Sequence, residues 1–203
     1  MNLRETYNRI AKDWMQDHAA DVWSLEGVEH FASLMPKGGR VLDAGCGAGE
    51  KSIYLAKQGL KVTAIDFSEE MIRLAKERAP GIDFSVKDIT EPLHIEGVYD
   101  GVFAQAVLLH IPKAEVRGVI KNITASLKQK GYFYLAVKAM REDGIEEEIR
   151  KEDEYGYEYE RFFSYYTIEE MREHLVVLGF KIVYENIKLW GKTNWIQIIA
   201  EKL

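Results

Sequence analysis

Three glycines on alternate positions, Gly45, Gly47 and Gly49, follow the apolar pair Val41-Leu42 and the carboxylate Asp43, and a second carboxylate, Asp66, ends the next apolar run. Glycines so spaced let a chain leaving a strand turn tightly and bring its N–H groups close to a ligand that any Cβ would hold off. An acid one strand-helix-strand unit later can accept hydrogen bonds from a ribose diol. Together they are the chemistry of a nucleoside cofactor, with Cys46 inside the loop. Spacing narrows the choice. A dinucleotide fingerprint has glycine at the first, third and sixth positions, and counting from Gly45 the sixth is Glu50, whose charge would oppose a pyrophosphate. A P-loop is excluded as well, because the order here is Gly49-Glu50-Lys51-Ser52.

The elements that must position these residues are legible in the periodicity. Strands are expected near 40–44, 61–65, 82–86, 98–104 and 131–138, most of them followed by helices, which is the pattern of a parallel sheet covered on both faces. Two further strands, near 180–186 and 194–200, are separated by a tight turn and suit an antiparallel hairpin at the sheet edge. Leu3, Tyr7, Ile10, Ala11 and Trp14 fall at helical spacing, and Leu25, Val28, Ala32 and Met35 repeat the pattern, so residues 1–36 are expected to form helices covering the cofactor site. Ser68 can cap a helix bearing Met71, Ile72, Ala75 and Ala79, and Thr167-Ile168-Glu169-Glu170 reads as a capping box with Gly179 as the stop. Pro36, Pro80, Pro92 and Pro112 all lie between apolar segments. The expected fold is α/β: a doubly wound, mostly parallel seven-stranded sheet with an antiparallel C-terminal hairpin, in a single domain.

These residues resemble the class I S-adenosylmethionine-dependent methyltransferases. Asp43-x-Gly45-x-Gly47-x-Gly49 is similar to their first motif and Asp66 to the acid that takes the ribose hydroxyls. Asp88-Ile89 resembles the pair at the adenine edge. Tyr99-Asp100-Gly101-Val102-Phe103-Ala104-Gln105, followed by Leu109-His110-Ile111-Pro112, resembles the fourth-strand motif. A departure is Gln129-Lys130-Gly131, where the family has a Pro-Gly-Gly turn. The resemblance implies S-adenosylmethionine as cofactor, S-adenosylhomocysteine as product, and methyl transfer to O, N or S of a small molecule. It counts Met71, Ala104 and Gln105 among the cofactor contacts. Relatives acting on nucleic-acid bases carry an acid or Asn and two prolines where this chain has Ala104-Gln105-Ala106-Val107, which points to a small-molecule acceptor. An aminopropyltransferase, which would favour an acidic pocket, and a non-catalytic cofactor binder remain as alternatives.

Several residues carry two readings. Phe67 stacks on adenine or packs in the core. Asp88 contacts adenine or makes a turn before Pro92. Tyr7 packs on its helix stripe or reaches the cofactor carboxylate with its hydroxyl. His110, just beyond the fourth strand, is the candidate general base or satisfies a backbone group. No Cys or His cluster has metal-ligand spacing.

At 203 residues the chain can bury about 70% of its unfolded surface without a disulfide or metal. Its lone cysteine fits a reducing compartment, and with no membrane-length apolar run or signal peptide a soluble, cytoplasmic monomer or homodimer is expected. The net charge of −6 is uneven: from Arg141 to Glu160 ten acids face three bases, a balance of −7, leaving the rest near +1. No basic stripe for nucleic acid is present. The acidic segment also holds Tyr155, Tyr157, Tyr159, Phe162, Phe163, Tyr165 and Tyr166. Two readings are expected to hold in part: a strand-like run into the last helix with its rings in the core, and a lid or insertion over 139–166 whose carboxylates and rings face a flat or cationic substrate and which contributes little to stability.

Overall fold

Alternating apolar runs and amphipathic helices build one central sheet in the computed structural model, which describes residues 2–19 and 24–203. Strands β1 (Arg40–Ala44), β2 (Lys61–Asp66), β3 (Asp83–Val86), β4 (Tyr99–Gln105) and β5 (Leu127–Lys138) are mutually parallel; β8 (Phe180–Trp190) and β9 (Thr193–Lys202) run antiparallel. The order across the sheet is β3-β2-β1-β4-β5-β9-β8. The chain reverses its direction of travel between β1 and β4, and a crevice opens there at the carboxyl ends of the strands.

Because side chains alternate along a strand, each strand feeds two cores. Val41, Ala64, Phe103, Tyr134 and Ile199 pack on one face, against α2 (Leu25–Leu34) and the neighbouring helices α3 (Glu50–Lys57) and α4 (Glu69–Arg78). Leu42, Val102, Ala104, Leu135 and Ile198 pack on the other, with α5 (Lys113–Ala125) and α6 (Ile168–Val177). Ser68 accepts from the Met71 N–H, and Thr167 and Glu170 form the capping box, both as the sequence predicts.

Three features differ from expectation. β5 begins at Leu127 rather than near 131, because Leu127 pairs with Tyr99 and the left-handed Lys130 is absorbed as a bulge. β8 runs on to Trp190, since cross-strand pairing with β9 continues to Thr193. The third concerns the acidic segment, which folds as a hairpin of β6 (Glu147–Glu152) and β7 (Tyr159–Ser164). Tyr159, Phe163, Tyr165 and Tyr166 are buried, and the last three belong to the main core. Several of its acids are held by cations: Glu152 binds Arg161 through two hydrogen bonds, and Glu148 pairs with Arg141. A charge count does not reveal which carboxylates are already paired.

Helix α1 (Leu3–His18) lies between α4 and this hairpin. Asn8 accepts from the Ser68 hydroxyl at 2.6 Å and from the Glu70 N–H at 3.2 Å, while Tyr157 donates to Asp13 at 2.7 Å. Of the two N-terminal helices, α1 roofs the crevice; α2 is a core helix whose Phe31 packs on Phe103 and Tyr134. Among the described residues no helix is long and apolar enough to cross a membrane.

Candidate cofactor and acceptor site

The glycine loop begins where β1 ends. Gly45, Gly47 and Gly49 have φ of +82°, +52° and +86°, a region that favours glycine. A Cβ on Gly45 would lie 2.4 Å from Val107, so the loop also depends on glycine for close packing. Four of its N–H groups are used internally, where the expectation was that they face a ligand. Gly45 and Cys46 donate to the Ile65 carbonyl, Gly47 donates to Asp66 and Gly49 to the Cys46 carbonyl. The loop thus offers a ligand a close surface, and its donors hold it against the end of β2. Gly49 is the N-cap of α3 and does not line the cavity.

A cavity of about 490 Å³ runs from this loop across the ends of β1, β4 and β5. Tyr7, Asp43, Gly45, Cys46, Gly47, Asp66, Phe67, Met71, Gln105 and His110 all line it. Asp88 and Ile89 line an adjoining pocket of about 200 Å³ that shares Gly45, Asp66, Phe67 and His110 with the first. Ala104 does not join them: alternation along β4 turns Phe103 and Gln105 to the cavity and buries Ala104 in the core. Ala106, immediately after β4, takes a left-handed conformation, φ +55°, a strained bend at the cavity wall.

The two principal carboxylates are both buried. Asp43 accepts the Ser52 hydroxyl at 2.5 Å, and burial pushes its pKa up to about 7. Asp66 accepts the N–H groups of Gly47 and Ser68, each at 2.9 Å, and burial raises it to about 6. An ionised carboxylate has about four acceptor sites, so Asp66 retains capacity for ligand hydroxyls. Asp88 accepts from the Thr90 N–H and hydroxyl in a local turn and also lines the smaller pocket. The Gln105 side-chain oxygen is buried with no hydrogen-bond partner, which leaves an acceptor in the cavity wall open to a ligand donor. Burial pushes the Cys46 thiol well up, so it stays protonated.

Tyr7 and His110 form a pair, with the phenol oxygen 2.7 Å from Nε2. Nδ1 of His110 lies 2.7 Å from the Phe162 carbonyl and can only donate to it, which leaves Nε2 as the acceptor of the Tyr7 hydroxyl. Burial lowers the His110 pKa to about 3, so the ring is neutral, and both of its nitrogens are occupied. Among the described residues no group of His, Cys, Asp or Glu could hold a metal ion.

Sequence reasoning named Phe163 of the far wall, within the acidic aromatic segment, and missed its other residues. Lys138, at the C-terminal end of β5, Arg161 and Phe163 on β7, Trp195 on β9 and the hairpin-tip residues Trp190 and Thr193 all line the same cavity. One signal was available for Lys138, a cation ending a parallel strand where ligands bind. The others are brought in by antiparallel pairing that no local pattern announces.

A family profile described as a methyltransferase domain matches residues 41–131. The chain is 35% identical over 125 residues to the ubiquinone biosynthesis O-methyltransferase of Xanthomonas axonopodis pv. citri (strain 306), covering 59% of this chain and 50% of that protein. To the same-named protein of Coxiella burnetii (strain RSA 493 / Nine Mile phase I) it is 30% identical over 141 residues, covering 64% and 58%. The chain therefore spans about half the length of these curated relatives. Among solved structures it resembles a Methanosarcina mazei S-adenosylmethionine-dependent methyltransferase, with TM-score 0.76 and 25% identity over 84% of this chain and 95% of that one. Magnesium protoporphyrin IX methyltransferase from Synechocystis PCC 6803 with bound S-adenosylhomocysteine shares the fold, with TM-score 0.75 and 21% identity over 98% of each. Glycine loop, Asp66 and strand order agree with these likenesses: the methyltransferase-domain match covers residues 41–131, and the fold is that of the class I S-adenosylmethionine-dependent methyltransferases.

Proposed function

We propose that this protein transfers the methyl group of S-adenosylmethionine to a small-molecule acceptor. The observation that carries the reading is a single cavity that joins the Asp43–Asp66 carboxylates to a separate aromatic and cationic wall, giving a donor half and an acceptor half. Asp66 suits the ribose hydroxyls, and Asp88 with Ile89 the adenine edge. Asp43 and the unpartnered Gln105 oxygen suit the amino-acid end. The donor, when bound, supplies a methyl group on a cationic sulfur. What this chain adds is orientation and the exclusion of water, which can lower a barrier by ~7–11 kcal/mol. Roofing by α1, with Tyr7 and Trp14 on the cavity, serves both ends.

His110 is a poor free base here, because its Nε2 already accepts the Tyr7 hydroxyl; the pair instead fixes the roof to the end of β4. The aminopropyltransferase alternative loses support, since the acceptor wall carries Lys138 and Arg161 where a polyamine would need acids. A buried, unpaired Cys46 supports a reducing, cytoplasmic setting.

The test is thermal and chemical. S-adenosylhomocysteine at about 100 times its Kd should stabilise the protein by about 2.7 kcal/mol, a rise in Tm of roughly 5–10 °C, while NAD should give none. Incubation with S-adenosylmethionine and a metabolite pool should release S-adenosylhomocysteine. Release of methylthioadenosine instead would indicate aminopropyl transfer, and neither product would indicate a binder.

A further inference from the structure

Two cations, Lys138 and Arg161, line the acceptor half of the cavity, and no carboxylate of the 141–160 segment lines it. Three cations gather around one ring: Lys138 Nζ lies 3.8 Å from the Phe163 centroid, the Arg161 guanidinium carbon 5.1 Å and that of Arg150 5.8 Å. Contact with the ring face is favourable for each, yet like charges this close repel one another. Glu152 compensates Arg161 through a bidentate pair, and Glu148 lies 3.9 Å from Arg150 while also holding Arg141. Lys138 has no such partner: among the described residues no carboxylate lies within ion-pair distance of it.

Its surroundings are otherwise apolar. Lys138 sits directly opposite Trp195 in the β5–β9 ladder, and its ammonium is 6.0 Å from that ring. Burial, with Arg161 and Arg150 nearby, pulls the Lys138 pKa down to about 8 and outweighs the opposing influence of the more distant Glu152 and Glu148. The bound donor would add a further positive charge to the same cavity. A neutral or cationic acceptor would leave these charges opposed. An anionic one would lie among them and relieve the repulsion.

We propose that the acceptor is a planar organic anion, its acidic group held by Lys138 and its ring packed beside Phe163 and Trp195. This deepens the methyltransferase reading and rests on it. It also reverses the expectation from the acidic segment, whose net charge faces away from the site or is already paired, so that the cavity receives the cations instead. Arg161 acts behind Lys138: with Nε and Nη2 held by Glu152 it keeps the β7 side of the wall in place.

Matched probes test the idea: benzoate, 2-naphthoate and indole-3-carboxylate, each against its primary amide, titrated into the full chain saturated with S-adenosylhomocysteine and followed by ligand-observed NMR and calorimetry. The acids should bind about tenfold or more tightly than their amides, the effect of one charge-assisted contact in a partly desolvated wall. Lys138→Met should abolish that preference while S-adenosylhomocysteine affinity changes less than about twofold, as expected for a side chain away from the donor half. No acid binding at millimolar concentration overturns the proposal, and so does equal binding of acids and amides. A preference that survives Lys138→Met overturns it too. Loss of turnover alone in that variant, without any change in probe preference, would assign Lys138 to proton transfer instead. Failure of S-adenosylhomocysteine to bind the wild-type protein would count against the methyltransferase reading itself, and the two failures are therefore separable.

Discussion

Asp43→Asn should make the free protein more stable at neutral pH while weakening its hold on the cofactor. Asp43 is 2% exposed, and its carboxyl is raised from 3.8 to about 7 in the folded protein. A carboxyl with a raised pKa binds its proton more tightly in the folded state than in the unfolded one. Its favourable contribution is therefore complete below about 3.8 and is lost as pH rises through about 7. The displacement corresponds to about 4 kcal/mol of destabilisation in wild type by pH 8. Asparagine carries no charge to bury and keeps an oxygen for the Ser52 hydroxyl, although a bond to a neutral acceptor is weaker by ~1–2 kcal/mol. The net gain of about 2–3 kcal/mol at pH 8 means a Tm higher by roughly 5–10 °C in a domain of this size. Near pH 4 the two proteins should melt together. Circular-dichroism melts of both at half-unit steps from pH 4 to 8 isolate Asp43, because every other titrating group is common to both. Parallel curves, or a variant less stable at every pH, would refute the assignment of a buried, costly charge.

Asp66→Ala should weaken S-adenosylhomocysteine binding about tenfold or more in calorimetry. In wild type the affinity should fall as pH drops below about 6, by up to about tenfold per unit, since the ionised carboxylate is the better acceptor. His110 should show no imidazole titration between pH 5 and 8 by NMR, given a pKa near 3, and a midpoint near 6.5 would dissolve the Tyr7–His110 pair as described. Glu152→Ala strands a largely buried Arg161 and should cost ~3–5 kcal/mol, read as a Tm lower by roughly 10 °C. An unchanged Tm would return the β6–β7 hairpin to the status of a dispensable lid.

The donor half was legible because its signals are local. Gly45 and Gly47 need a backbone region few residues enter, Asp66 ends a strand, and Ser68 caps the next helix within three residues. The parallel strands announced themselves by apolar runs between prolines. Ala104 was misplaced within its own motif because its membership of the fourth strand was read and the alternation along that strand was not applied. The acceptor half depends on distant partners. Lys138 meets Trp195 through a ladder joining residues more than fifty positions apart, and Arg161 is defined by a carboxylate on the facing strand of a hairpin. The Tyr155–Tyr166 cluster kept two readings, core and lid, because composition says that rings and acids are present and says nothing about which way β7 turns them; Phe163, Tyr165 and Tyr166 fall to the core.

The division of the cavity along the chain has an evolutionary consequence. Apart from the roof helix, the donor-side residues fall between Asp43 and His110, whereas Lys138, Arg161, Phe163, Trp190, Thr193 and Trp195 all follow the bulge at Lys130. The region matched by the family profile stops at residue 131, so it covers the first group and none of the second. Under the proposed function, inheritance of donor recognition and inheritance of acceptor choice are thus separable along the gene. Drift or recombination downstream of the fifth strand's first residues can re-tailor what is methylated while the donor half passes unchanged, which is how one ancestral cofactor domain can diversify into enzymes with unrelated acceptors.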